Sequence, residues 1–254
     1  MKAIVYYNYG SPDVLKCEEI EKPTAEDNEV LIKVRAASLN ALDWRLMRGG
    51  PYIVRMLFGL RKPKTTQPGR PGRDVAGQVE AVGRNVTRFK PGDEVFGVCP
   101  GAFAEYACAL EDKLALKPAN ITFEDAAAVP VAAITALQGL RDKGRIQPGH
   151  KVLVDGASGG VGTFAVQIAK SFGAEVTAVC STRNVDTAQS IGADHVIDYT
   201  RDDFTKSGQR YNLIIAANAY HSIFDCRRAL SQDGIYVMAG GGWAQILQAV
   251  LLGP

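Results

Sequence analysis

The chain has 254 residues, of which 46% are hydrophobic and 22% charged, and 29 basic against 27 acidic residues leave a net charge of +2. Such a chain holds one large domain or two smaller ones around a sizeable core, and its composition excludes disordered, collagen-like and low-complexity architectures. The near-balanced charge gives no case for a nucleic-acid partner.

The first 120 or so residues read as β-rich. Lys2 to Tyr7 is a short strand run. Glu29 to Ala37 alternates Val30, Ile32 and Val34 with Leu31, Lys33 and Arg35, the period-2 pattern of a strand. Val75 to Val82 is a further strand, with Gly77 and Gly83 marking bulges or close backbone approaches. After the turn Pro91-Gly92-Asp93 come strands at Val95 to Val98 and Phe103 to Ala107. Short strands punctuated by Gly and Pro predict a small barrel-like unit.

From about Asn120 the pattern changes. Thr122 with Asp125 three residues on is a capping signal, and the Ala-rich helical stretch behind it meets a break or kink at Pro130. Strands are expected at Lys151 to Asp155, Glu175 to Cys180, His195 to Asp198, Leu213 to Ala217 and Ile235 to Ala239. Helices are expected at Val161 to Phe172, with Gly173 as its cap, and at Asn184 to Ile191. Strands alternating with helices imply βαβ units and a parallel sheet. The fold class expected is therefore α/β behind a β-rich unit, divided into residues 1–120 and 121–254.

The most informative segment is Val154-Asp155-Gly156-Ala157-Ser158-Gly159-Gly160-Val161-Gly162, where a strand runs through a Gly-rich turn into a helix. Glycines let the backbone approach a pyrophosphate, and the helix start offers it free N–H groups and positive dipole. Ser158, Gly159, Gly160, Val161 and Gly162 are the expected cofactor contacts. An NAD-type site wants an acid at the end of the second strand, about 20 residues on, to hold the ribose 2′-hydroxyl. Here stand Cys180-Ser181-Thr182-Arg183, with no acid before Asp186. Ser181 and Arg183 suit a 2′-phosphate, so the expected cofactor is NADPH rather than NADH. The alternative for Arg183 is a solvated loop position.

Gly149-His150, Leu153, Ala157-Ser158-Gly159-Gly160-Val161-Gly162, Gln167 and Lys170 resemble the signature of quinone oxidoreductases of the zeta-crystallin type, zinc-independent members of the medium-chain dehydrogenase/reductase superfamily. Met1-Lys2-Ala3, Asn40-x-x-Asp43, Gly72-Arg73-Asp74-Val75-Ala76-Gly77 and Gly192-Ala193-Asp194-His195-Val196-Ile197-Asp198-Tyr199 extend the resemblance over essentially the whole chain. It implies a chaperonin-10-like catalytic domain joined to a Rossmann domain, an active site in the cleft between them, and a homodimer. It also places Thr135 near the nicotinamide and Tyr199 beside the adenine ribose. Asn218 and Ala239-Gly240-Gly241 follow the fourth and fifth strands and are expected to face the cofactor. The same resemblance implies more chain after the fifth strand than the apolar run Trp243 to Leu252 and the end at Pro254 supply, so the Rossmann domain is expected to be short at its C-terminal edge.

In zinc-dependent relatives, by the resemblance, metal ligands occupy three places that here hold Asn40, Arg73 and Val131. Neither Arg nor Val ligates zinc, so no metal is expected. His150, His195 and His221 have no metal-like spacing with Cys and read as structural or exposed. Without a metal an alcohol is hard to activate, and an electron-poor acceptor is easier to reduce. The expected reaction is hydride transfer to a quinone or an α,β-unsaturated carbonyl, with the cofactor carrying the chemistry. Alternatives are a zinc-free aldehyde or ketone reductase, an enoyl-thioester reductase, and a nucleotide-binding protein without turnover.

Asn40 is the first catalytic candidate, its amide donating to a developing oxyanion; the alternative is a turn asparagine. Tyr52 is the second, for oxygen contact or proton donation, with packing as its alternative. Asp43 reads as a fold residue anchoring the loop around Asn40. From Arg45 to Arg73 the chain carries eight basic residues and no acid, around the apolar run Tyr52 to Leu60. This segment reads as a lid over an apolar substrate, a contact with an anionic membrane, or a solvated loop.

Five scattered cysteines without Cys-x-x-Cys spacing fit a reducing compartment, no signal-peptide core follows Met1, and the longest nearly apolar run is too short to span a bilayer. A soluble, cytoplasmic protein is expected.

Overall fold

The computed structural model describes residues 1–50, 69–218 and 220–242, with Gln245 and Gln248. The chain divides into two compact units, Met1–Val131 and Ala132–Pro254.

The first unit is built on antiparallel strands. β1 (Lys2–Val5) pairs with β2 (Lys16–Glu19). β3 (Glu29–Ala36), β4 (Asp74–Val82), β5 (Glu94–Val98), β6 (Tyr106–Leu110) and β7 (Leu114–Leu116) form a second sheet in the order β6-β3-β4-β5-β7. Alternation puts Val30 and Ile32 of β3, Val75 and Val79 of β4 and Val95 of β5 into one buried cluster. The opposite face of β4 presents Ala76 to Ala126 and Ala127 of a short helix (Phe123–Ala127). Asp74 shares this second face with Ala76 by the two-residue period of a strand. The expected strand at Phe103 to Ala107 begins instead at Tyr106, because Phe103 and Ala104 bridge to β1: Ile4 N donates to Phe103 O at 2.8 Å.

Helix α1 (Ala41–Arg48) follows β3, and α2 is the Phe123–Ala127 helix. Thr122 caps α2 reciprocally with Asp125: Asp125 N donates to Thr122 Oγ1 at 3.1 Å, and Thr122 N donates to Asp125 Oδ2 at 3.2 Å. Pro130 does not kink a continuous helix but opens a new one, α3 (Pro130–Leu137). A proline's missing N–H costs nothing in a first turn. α3 runs on into a π-helical turn, Gln138–Lys143.

The second unit is a parallel sheet of β8 (Lys151–Asp155), β9 (Glu175–Cys180), β10 (His195–Asp198), β11 (Tyr211–Ala216) and β12 (Leu230–Met238), in the order β10-β9-β8-β11-β12. The first three strands keep the bounds read from the sequence. Helices α4 (Gly160–Ser171), α5 (Val185–Ser190) and α6 (Ile223–Arg228) connect them. Val152, Val154, Val176 and Ile215 pack on Ala165, Val166 and Ala169 of α4. Leu153, Val179 and Ile214 face the other way, onto Phe204 and Cys226. With both faces covered, these strands read as continuous apolar runs. The chain leaves β8 toward β9 and returns to β11 on the other flank, so the order reverses between β8 and β11, the position where such sheets open to a ligand. Among the described residues, no helix is long and apolar enough to cross a membrane.

Leu153 is wholly buried at the centre of this sheet. Leu153→Ala is expected to cost about 2–5 kcal/mol, read as a lower urea midpoint at unchanged slope.

Candidate active site

The turn after β8 is held open by missing side chains. A Cβ at Gly162 would lie 2.1 Å from Gly156 O and 2.7 Å from the Ala157 Cα, so only glycine lets α4 start this close to the strand. Gly156 has φ +81°, and a Cβ there would lie 2.9 Å from the Asn218 Cβ. The ends of β8 and β11 thus meet at the switch point, where Ala217 N also donates to Asp155 O at 2.9 Å. Around Gly159 and Gly160 the nearest atoms to a built Cβ are 3.5 and 3.8 Å away, leaving space before the helix start. The first N–H groups of α4 have no acceptor within the helix and point toward that space. Ser158, Gly159 and Gly160 are exposed there. At the end of β12, Ala239 and Gly240 donate to Ala216 O at 2.9 and 3.1 Å, which brings them to the same edge of the sheet as Asn218. Thr135 lies on α3 and Gly241 is buried.

One strand over, Ser181 follows β9 and its Oγ accepts from Asn184 Nδ2 at 3.0 Å. Tyr199 N donates to Cys180 O at 3.0 Å, so exposed Tyr199 stands beside Ser181. Arg183 is exposed on the following turn, and its guanidinium makes no hydrogen bond or ion pair among the described residues. The nearby acid is Asp198, at the end of β10 rather than β9. Its carboxylate accepts from Thr182 Oγ1 at 2.6 Å and from Thr200 Oγ1 at 2.7 Å. These bonds hold its pKa below the ordinary carboxylate value, Thr182 contributing most.

The first unit gathers a polar cluster around Asp74, which is 0% exposed. Its Oδ2 accepts from Ser38 Oγ at 2.6 Å and Asn40 Nδ2 at 2.9 Å, and its Oδ1 accepts from Val131 N at 2.9 Å. Asn40 is half-buried at the start of α1, where its N donates to Asp43 Oδ2 at 2.8 Å. Asp43 Oδ1 accepts from Gly72 N at 3.1 Å. Asp43, 4% exposed, ties the Asn40 loop to the Gly72 loop, and burial raises its pKa against the pull of those two N–H groups. Asp74, Ser38 and the Val131 N–H were not singled out from the sequence. The only signal for them is an acid heading an apolar strand. Tyr52, with most of the basic 45–73 segment, lies outside the described residues.

Asp155 points to the Leu153 face of the sheet, within Coulombic reach of Cys226 and Tyr236. Burial lifts its pKa to about 7, opposed by the Gly156 N–H. It underlies the Gly-rich turn as an acid that still holds a proton well above the ordinary carboxylate range.

Residues 26–119 match the alcohol dehydrogenase GroES-like domain and residues 160–248 the zinc-binding dehydrogenase domain. A quinone-oxidoreductase homolog of Spinacia oleracea chloroplasts is 39% identical over 85% of this chain and 67% of its own length. The quinone oxidoreductase structure from Coxiella burnetii is 32% identical and superposes with a TM-score of 0.83 over 93% of this chain and 74% of that one. The chain belongs to the quinone oxidoreductase branch of the medium-chain dehydrogenases/reductases. An NADPH-dependent alkenal/one oxidoreductase of Arabidopsis thaliana is 38% identical over 85% of this chain and 57% of that relative. The chain thus spans about two thirds of the length of the spinach relative.

Membership makes this an NAD(P)H-dependent oxidoreductase, and the turn at Gly156–Gly162 fits the pyrophosphate of a nicotinamide dinucleotide. Zinc does not fit in the same way. The three positions that the family resemblance assigns to the ligands of zinc-dependent relatives, Asn40, Arg73 and Val131, hold an amide, a guanidinium and an isopropyl group, and the last two carry no lone pair for a metal. Among the described residues no group of three His, Cys, Asp or Glu is arranged to hold one.

Gly162→Ala is expected to weaken dinucleotide binding about 5- to 150-fold, since roughly 1–3 kcal/mol of overpacking falls on the turn itself. Fluorescence titration with NADPH checks this. Asp155 supplies a pH test. Its folded pKa lies above its unfolded one, so stability is greatest below the unfolded value of 3.8 and is lost as pH rises toward about 7. Asp155→Asn is expected to raise the melting temperature over wild type at pH 8 and to leave it near wild type at pH 4. The gap corresponds to on the order of a few kcal/mol.

Proposed function

We propose that this chain is an NADPH-dependent reductase of quinones or α,β-unsaturated carbonyls. The observation that carries the cofactor half is the ribose end of the site. Ser181, Arg183 and Tyr199 stand together, no carboxylate ends β9, and Asp198 is already engaged by two threonines. A 2′-phosphate meets a free guanidinium there, and the nearby carboxylate of Asp198 lies on β10, bonded to Thr182 and Thr200. The nicotinamide, when bound, supplies the hydride. The chain's own part is to hold the pyrophosphate on the N–H groups of Gly160, Val161 and Gly162 and to line the opening with Asn218, Ala239 and Gly240. Thr135 and Gly241 belong to the same reading, as contacts near the nicotinamide.

The substrate half rests on the family and on the donor chemistry. A pocket with no zinc ligands does not activate an alcohol as a Lewis acid does, which favours acceptors that are already electron-poor. The quinone oxidoreductase and alkenal/one oxidoreductase names of the relatives point the same way. Residues 1–120 as catalytic domain and 121–254 as dinucleotide domain are the proposed division of labour. Five free cysteines support a reducing compartment such as the cytoplasm. The family resemblance supports a homodimer.

The test is oxidation of NADPH and of NADH with an ortho-quinone and with a simple alkenone. Turnover with NADPH at least about tenfold more efficient than with NADH is expected, from one charge-assisted contact of roughly 1.5–3 kcal/mol. Arg183→Ala is expected to raise KM for NADPH by that factor and leave KM for NADH unchanged. Equal use of both cofactors by the wild type overturns the NADPH assignment, and no turnover with either acceptor overturns the reductase assignment.

A further inference from the structure

We propose that Arg73 is the residue that polarises the substrate oxygen, in place of the amide of Asn40. The inference rests on the reductase reading above and names the group that makes that chemistry possible.

Asn40 has little left to give a ligand. Both hydrogens of its Nδ2 are committed inward, one to Asp74 Oδ2 at 2.9 Å and one to Ser38 Oγ at 3.3 Å. The carboxylate of Asp74 fixes that orientation, because a buried carboxylate needs donors and the amide oxygen is not one. What remains is Oδ1, an acceptor, which repels an oxyanion rather than stabilising it. Asp43 offers no donor either, since its two oxygens accept from Asn40 N and Gly72 N.

Arg73 lies between these anchored groups. Gly72 O accepts from Gly101 N at 3.0 Å and Arg73 O accepts from Cys99 N at 2.8 Å, so the backbone carrying Arg73 is held on both sides. The next residue is Asp74 itself. The side chain is half-buried, yet its guanidinium makes no hydrogen bond or ion pair among the described residues. The acids beside it have their oxygens taken by other donors. A guanidinium carries five N–H donors, stays charged at any relevant pH, and is costly to leave partly buried and unpaired. Its field is felt around it: it pulls down the pKa values of Tyr6, Asp43 and Cys99, each of which burial pushes up. Such a group is complete once an oxygen that gains negative charge is placed against it.

A reduced dinucleotide, when bound, would supply a hydride with its two electrons to the β-carbon of an enone or to one oxygen of a quinone, and would itself be oxidised. The π electrons of the conjugated system move onto the substrate oxygen, giving an enolate or a hydroquinone monoanion. Arg73 holds that oxyanion without losing a proton, and water then supplies the proton that completes the product.

The experiment compares wild type, Arg73→Gln and Arg73→Lys, each first checked for an unchanged far-UV circular dichroism spectrum and melting curve. Arg73→Gln is expected to lower kcat by about 10²–10³-fold, as loss of an oxyanion donor does, while NADPH binding by fluorescence stays within about twofold. Arg73→Lys is expected to recover part of the loss. A second readout needs no turnover. 4-Nitrophenol, a mimic of the oxyanion, is titrated with pH on each protein and its phenolate read by visible absorbance. Bound to wild type it is expected to ionise about tenfold more readily than on Arg73→Gln, since a neighbouring cation favours the anion. Wild-type kcat in Arg73→Gln overturns the inference. So does a wild-type chain that fails to bind 4-nitrophenol or ionises it no more readily than the variant. If wild type turns over neither quinone nor enone yet shows the nitrophenol shift, the reductase reading fails while Arg73 keeps its role as an oxyanion donor.

Discussion

A single buried charge organises the first unit. Asp74 has no contact with water, and an ion taken out of water must be satisfied by donors or it destabilises the fold by several kcal/mol. Three donors answer it: a hydroxyl, a side-chain amide and a backbone N–H from Ser38, Asn40 and Val131. Those three come from the segment after β3 and from the start of α3. The charge therefore fixes two places in the chain at once. It also dictates what is left over, because donors spent on Asp74 are not available to a ligand. The orientation of Asn40 follows from this, and so does the contrast with Arg73.

The second unit meets the same problem of unsatisfied polar groups by a different route. Its donors are backbone N–H groups at the start of α4, kept unpaired by helix geometry and kept reachable by the absence of side chains. Gly162 makes the approach possible, with Gly156 in the left-handed region setting the turn. Beneath them burial raises the pKa of Asp155 to about 7, so its charge is only partly developed at neutral pH. A full negative charge at that point would oppose an anionic ligand above it, and burial reduces that opposition.

Much of this architecture was legible in the sequence where burial is two-sided. β8 and β9 are largely apolar runs, and their ends were read directly, as were those of the edge strand β10. The Thr122–Asp125 pair announced α2 because capping is local chemistry. Elements held by pairing rather than by their own pattern were not legible. β2 reads Lys-Cys-Glu-Glu, with no apolar signal, and exists because β1 offers it a ladder. α1 carries Leu42 and Trp44 exposed, so its apolar residues do not mark its inner face. α6 is only six residues long, under its Ser222 cap. In the site, the Gly-rich turn was visible because glycine spacing is itself the mechanism. The commitments of Asn40 were not, since they depend on Asp74, which lies 34 positions away in the chain.

The ribose end has one more consequence. Asp198 is occupied by threonines on the strand ends, whereas Arg183 sits on the outside of a short turn and supports nothing beneath it. On the proposed reading, in which Arg183 meets a 2′-phosphate, dinucleotide choice is uncoupled from the folding of the sheet. One exposed side chain can then change without disturbing the core, and a lineage built on this scaffold can shift its cofactor by drift at the surface.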